Sequence, residues 1–178
     1  SCNLKPLWHA AWSTFGPKLK RVAICANLAG HQDLINSNPC LSSVQRFELE
    51  FSDDLRSKAP RDRTAEDAFL KDDLVPFVNR LGPYIKTFKI RSWSKMDLSP
   101  FFRFLDPLPQ LEEILVRIPF NQSLLDPPAF TDFIIASSAT LKDVALRLTP
   151  TGLALDPTQE QPVLDWMQST LSDTRCFA

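Results

Sequence analysis

A repeating α/β solenoid is the fold class predicted by three observations: the apolar spacing LxxLxL recurs five times, its copies fall near one period, and the segments between copies carry helical spacing. The copies are LKRVAI at 19, VQRFEL at 44, IKTFKI at 85, LEEILV at 111 and LKDVAL at 141. Their first anchors are 25, 41, 26 and 30 residues apart, so three of the four steps lie near the period of leucine-rich repeats. One such match has little weight, because alternating apolar residues occur in any half-buried strand. Five in phase predict a single domain over residues 1–178, with a curved parallel sheet of about five strands on the concave side and helices on the convex side.

Each element follows from local residues. The first copy extends to Asn27, giving LxxLxLxxN, where the amide can satisfy backbone groups at the turn leaving the strand; the later copies carry Ser52, Trp93, Pro119 and Thr149 there. The long second step is explained by DDLRSKAPRDRTAEDAFLKDD, a charged insertion at about 53–72 that reads as a loop leading into a helix. That helix is predicted over 65–81, with Thr64 as its N-cap and Phe69, Leu70, Leu74, Phe77 and Leu81 on its apolar face. Next comes DLSPFFRFL, entered through Asp97 or Ser99, and then DPPAFTDFIIASS, where Asp126 caps and Pro127 fits a first turn. QPVLDWMQSTL repeats the theme after the fifth copy. His31 falls in AGHQD, which reads as a loop.

Twenty basic against twenty-one acidic residues give no global field toward nucleic acid or a membrane. No apolar run has the length that spans a bilayer, and SCNLKPLWHAAW lacks the charged-then-apolar order of a signal peptide. Cys2, Cys25, Cys40 and Cys176 form neither a CxxC pair nor a zinc spacing, so reduced thiols in a cytoplasmic or nuclear protein are expected, with no metal and no cofactor. The sequon Asn121-Gln122-Ser123 is slight support for secretion instead. Catalysis is not expected. The chain has two histidines, His9 and His31, and no GxSxG, P-loop or HExxH, while the doublets Asp53-Asp54, Asp72-Asp73 and Glu112-Glu113 read as solvated charge. Cys25 as a nucleophile would need a base that no predicted neighbour supplies.

Residues 77–148, FVNRLGPYIKTFKIRSWSKMDLSPFFRFLDPLPQLEEILVRIPFNQSLLDPPAFTDFIIASSATLKDVALRL, contain the phrases IRSW, DLSPFF, LPQLEEILVRIPFN and LLDPPAFTDFI, and LDW follows later. In these phrases the chain resembles the repeat region of F-box-like leucine-rich-repeat proteins of mushroom-forming fungi. The resemblance implies repeats that select a substrate protein, beside an F-box that docks on a ubiquitin-ligase scaffold. No segment of this chain reads as an F-box, so the recognition half is what carries over. The resemblance implies no catalytic residues.

In such a repeat the residues between the anchors face the concave surface. The third position runs Arg21, Arg46, Thr87, Glu113 and Asp143; the fifth Ala23, Glu48, Lys89, Leu115 and Ala145; the seventh Cys25, Glu50, Arg91, Arg117 and Arg147. Stacked rungs would set Glu48 against Lys89 and Glu50 against Arg91 as neutralising pairs. Beyond them Arg91, Arg117 and Arg147 form a basic row, with Glu113 and Asp143 alongside, suited to an acidic peptide or phosphate. The plainer interpretation is a solvated strand surface with balanced charges. The insertion at 53–72 is the second candidate, set against a plain spacer. The expected function is therefore non-catalytic recognition of a protein partner, which the resemblance implies to be the substrate of an F-box-type adaptor, and the alternative is a secreted or host-directed fungal repeat protein that sequesters a ligand.

Overall fold

The computed structural model describes residues 12–52, 62–92, 96–119 and 125–149. Strands β1 (Arg21–Ala26), β2 (Arg46–Phe51), β3 (Thr87–Ser92), β4 (Glu113–Pro119) and β5 (Asp143–Thr149) form one parallel sheet in chain order. Their register is the one expected from the anchors. Arg21 pairs with Arg46, Arg46 with Thr87, Thr87 with Glu113, and Glu113 with Asp143. Because side chains alternate between faces, this alignment puts the second and third anchors of each copy on one side and the third, fifth and seventh residues on the other. A slip by one residue would bury the charges, so the apolar pattern holds the register.

Two backbone features recur with the strands. Leu19, Val44, Ile85 and Leu111, the first anchors of the first four copies, each donate an N–H to the carbonyl three residues back, closing a tight turn at 3.1 to 3.3 Å. The residue after each first anchor then offers a carbonyl to two N–H groups of the next rung. Lys20 accepts from Gln45 and Arg46, Gln45 from Lys86 and Thr87, Lys86 from Glu112 and Glu113, and Glu112 from Lys142 and Asp143, all at 2.8 to 3.1 Å. Two of the turns, Gly16–Lys18 and Gly82–Tyr84, begin Gly-Pro. Close approach requires glycine at the first, since a Cβ on Gly16 would meet the Cys40 carbonyl, while one on Gly82 would lie 3.0 Å from the end of the Leu108 side chain.

Of the helices α1 (Leu28–Asn36), α2 (Arg63–Ala68), α3 (Val75–Leu81), α4 (Ser99–Phe104) and α5 (Pro127–Ala136), all but α2 put buried residues into the core on the anchor face. Asn27 caps α1 by accepting from the Gly30 N–H at 2.9 Å, as the extended first copy predicted. His31 therefore sits in a helix and is buried, which corrects its expected loop position. The cap of α2 is Asp62, which accepts from the Ala65 N–H at 3.1 Å, rather than Thr64. Helix thus begins inside the expected insertion, whose residues 53–61 lie outside the described residues, as does the helix expected at QPVLDWMQSTL.

A π-helical segment, Phe69–Leu74, joins α2 to α3, and the Val75 N–H reaches back five residues to Leu70. Pro76 follows directly; it has no N–H to donate, and a wider turn relieves the clash of its ring with the preceding carbonyls. Asp97 anchors α4 through the Ser99 N–H at 2.8 Å and also accepts from the Ser99 hydroxyl. Asp126 stands at the N-cap of α5 with Pro127 in the first turn, but its carboxylate makes no capping bond and pairs with Arg103 at 2.9 Å.

Side chains also tie successive units together. Asn79 donates to the Asp106 carboxylate at 2.7 Å and accepts from its N–H at 3.1 Å; the Ser99 hydroxyl accepts from the Asp126 N–H at 2.7 Å. The second and third anchors of β2, β3 and β4 are almost fully buried, whereas Val144 and Leu146 of β5 are only partly buried. Aromatic rings link sheet to helices, with Phe47 5.9 Å from Phe77 and Phe88 5.8 Å from Phe101, and link helix to helix, with Phe102 5.0 Å from Phe130. Such pairs add about 0.5–1.5 kcal/mol each beyond the area they bury.

Candidate functional site: the open face of the sheet

The core, with the buried residues of α1, α3, α4 and α5, lies on the anchor side, and the opposite face of the sheet carries no packed element among the described residues. Every expected site residue is on it: Glu48, Glu50, Lys89, Arg91, Glu113, Leu115, Arg117 and Arg147 share one surface in the expected columns. Glu113 and Arg147 are exposed, while the other six are half-buried by their neighbours.

The structure forms one of the two expected cross-strand pairs. Arg91 Nη1 lies 3.4 Å from Glu50 Oε2. Lys89 does stand opposite Glu48, but Glu48 is engaged from the other side by Arg21 at 3.1 Å. Both pairs are partly exposed, so each contributes little to stability, in the range of about 0–1 kcal/mol. A shallow depression of about 100 Å³ lies over β1 to β3, lined by Ala23, Cys25, Glu48, Glu50, Lys89 and Arg91. Cys25 Sγ donates to Glu50 Oε1 at 3.5 Å. Partial burial and then the Glu50 carboxylate push the Cys25 thiol up, so it stays protonated and is a poor nucleophile at neutral pH.

His31 cannot serve as its base from where it stands. The ring is on the anchor side, 4.4 Å from Phe51, and Nε2 lies 3.0 Å from the Glu50 carbonyl oxygen. A carbonyl only accepts, so Nε2 carries the proton and donates. Burial pushes the His31 pKa down, partly offset by the Glu50 and Ala26 carbonyls, which keeps the imidazole neutral. Its role is to fasten α1 to the end of β2.

Comparison with protein-family models, with curated proteins and with solved structures finds no match. The site must therefore be read from its own geometry. Along the N-terminal ends of β4 and β5 run Glu113 and Asp143; along the C-terminal side run Arg117 and Arg147, with Arg91 continuing the row on β3. Leu115 and Ala145 lie between them. Thr87 Oγ1 donates to Glu113 Oε2 at 3.5 Å.

One charged cluster lay outside the columns considered from the sequence. Glu112 bridges Lys86 at 3.2 Å and Lys142 at 2.8 Å, and hydrogen bonds from Lys142 and then Lys86 hold its carboxyl below the usual range. The signal was present, because second positions read Lys86, Glu112 and Lys142 in consecutive copies. Among the described residues no group of three His, Cys, Asp or Glu is placed to hold a metal ion, and no helix is long and apolar enough to cross a membrane. The sequon at 121–123 and His9 lie outside the described residues.

Proposed function

We propose that the chain is a leucine-rich-repeat solenoid that recognises another protein without chemistry, serving as the substrate-binding region of an F-box-type ubiquitin-ligase adaptor in the cytoplasm or nucleus. The repeat reading is supported by sequential parallel strands with the helical core packed on one face. Strands stack about 4.8 Å apart while helices need about 8–10 Å, so one-sided packing curves the sheet inward. The adaptor role rests on the resemblance of residues 77–148.

The observation that carries recognition is the arginine row. Arg91, Arg117 and Arg147 occupy equivalent positions on three neighbouring strands of a face that no described element covers. Guanidinium groups in a row suit carboxylates or phosphates of a partner through paired N–H donors. Affinity capture from an extract of the producing organism tests this, with wild-type protein beside the Arg117→Glu, Arg147→Glu variant. A specific partner, together with a ubiquitin-ligase scaffold when an F-box is present, is expected with the wild type and lost with the variant. Equal recovery by both proteins would remove the arginine row from the function.

The sequon favours a second reading, a secreted or host-directed fungal protein that sequesters a ligand. A glycan on Asn121 of protein from the native source would select it.

A further inference from the structure

The open face of β4 and β5 is more specific than a basic patch. It has an acidic edge, Glu113 and Asp143, and a basic edge, Arg117 and Arg147, separated by Leu115 and Ala145. Four residues of strand separate the edges, about 13 Å. Along each edge, like charges repeat at the strand spacing of about 4.8 Å.

Resting on the recognition reading above, we infer that this strip takes one amphipathic helix of a partner protein, lying across the strands. Its apolar stripe rests on Leu115 and Ala145, its acidic flank on Arg117 and Arg147, and its basic flank on Glu113 and Asp143. A helix about 10–12 Å across fits between the edges, and residues one turn apart repeat every ~5.4 Å, close to the strand spacing. An extended segment repeats same-side residues every ~6.7 Å and would drift out of step with the rows. The half-buried Leu115 and Ala145 offer apolar contact across only two strands, because Lys89 occupies the same row on β3; the contact is therefore about two helical turns long.

A second copy of the chain is a poorer occupant. A two-fold axis along the middle row would match acidic to basic edges, but it would also set Glu48 against Glu48 and Lys89 against Lys89. Like charges so placed oppose association.

The test uses fluorescence anisotropy with the full chain and three stapled helical peptides sharing a Leu/Ala stripe. One carries Glu at i and i+4 on one flank and Lys at i and i+4 on the other; the second carries Glu on both flanks, the third Lys on both. The mixed peptide should bind wild type roughly tenfold more tightly than either uniform peptide. Glu113→Arg with Asp143→Arg should turn the preference to the all-Glu peptide, and Arg117→Glu with Arg147→Glu to the all-Lys peptide, with melting temperatures unchanged.

Equal binding of mixed and all-Glu peptides to wild type would overturn the two-edged strip while leaving arginine-row recognition standing. Equal binding of a mixed peptide broken by proline would overturn the helix. A wild-type dimer in sedimentation that Glu113→Arg with Asp143→Arg dissolves would make the second copy the occupant and overturn the inference. Failure of the recognition reading itself is separate: it shows as retention of the captured native partner by Arg117→Glu, Arg147→Glu.

Discussion

A methyl group on Gly16 would run into the Cys40 carbonyl, a backbone atom that cannot turn aside as a side chain can. Gly16→Ala is therefore expected to destabilise the fold by about 1–3 kcal/mol, read as a lower melting temperature. Gly82→Ala meets the flexible end of Leu108 and should cost less. His31 gives a pH-dependent counterpart. Burial lowers its folded pKa below the ordinary 6.5, so the unfolded chain takes up the proton first. Stability is full above pH 6.5 and is lost as pH falls from there through the lower folded value. Replacing His31 by Phe should flatten that decline in melts taken across the window, whereas an unchanged slope would place the titrating group elsewhere.

At the scale of elements, β4 is the strand whose failure should be most complete. Val116 is fully buried between Ile90 and Leu146, and Val116→Asp would put a charge into the shared core. Loss of the cooperative melt is expected, while a retained melt would contradict the register. Glu112 fastens the entrance of β4 to both neighbours through Lys86 and Lys142. Its depressed carboxyl contributes stability above the unfolded value of 4.5 that is lost as pH falls through the folded value, and high salt should weaken the same clamp. Glu112→Gln should remove both responses in acid and salt titrations of the melting temperature.

Much of this was legible at the level of strands, because a period of two leaves one register that buries the second and third anchors of every copy together. The helix over 65–81 was legible from the helical spacing of Phe69, Leu70, Leu74, Phe77 and Leu81, all buried. Helix α1 was not. Gly30 lowers helix propensity, and its need comes from the turn out of β1, since a Cβ there would lie 2.8 Å from that of Ala26. The partner of Glu48 was also hidden, because register names two neighbours for each strand residue and Arg21 reaches it diagonally from one side. The π segment escaped notice because apolar spacing barely distinguishes it from α-helix, although Pro76 marks the place.

For the whole molecule, the sequence divides its work between two faces of one sheet. Anchor columns and helices make the core, while the alternate columns arrange charge in rows without being needed to bury apolar surface. The two can therefore vary separately, so a recognition surface of the kind proposed can rest on a generic ladder. It also predicts that Arg117→Glu with Arg147→Glu changes binding but not folding, in contrast to Val116→Asp, one residue away.

The most direct test compares the affinity of the captured partner for two double variants whose melting temperatures match wild type. One is Arg117→Glu with Arg147→Glu on the open face; the other is Asp132→Lys with Ile135→Glu, both exposed on α5 of the helix face. The account predicts at least about a tenfold loss for the first and none for the second. A loss confined to the helix-face variant would contradict it and move recognition to the other side of the sheet.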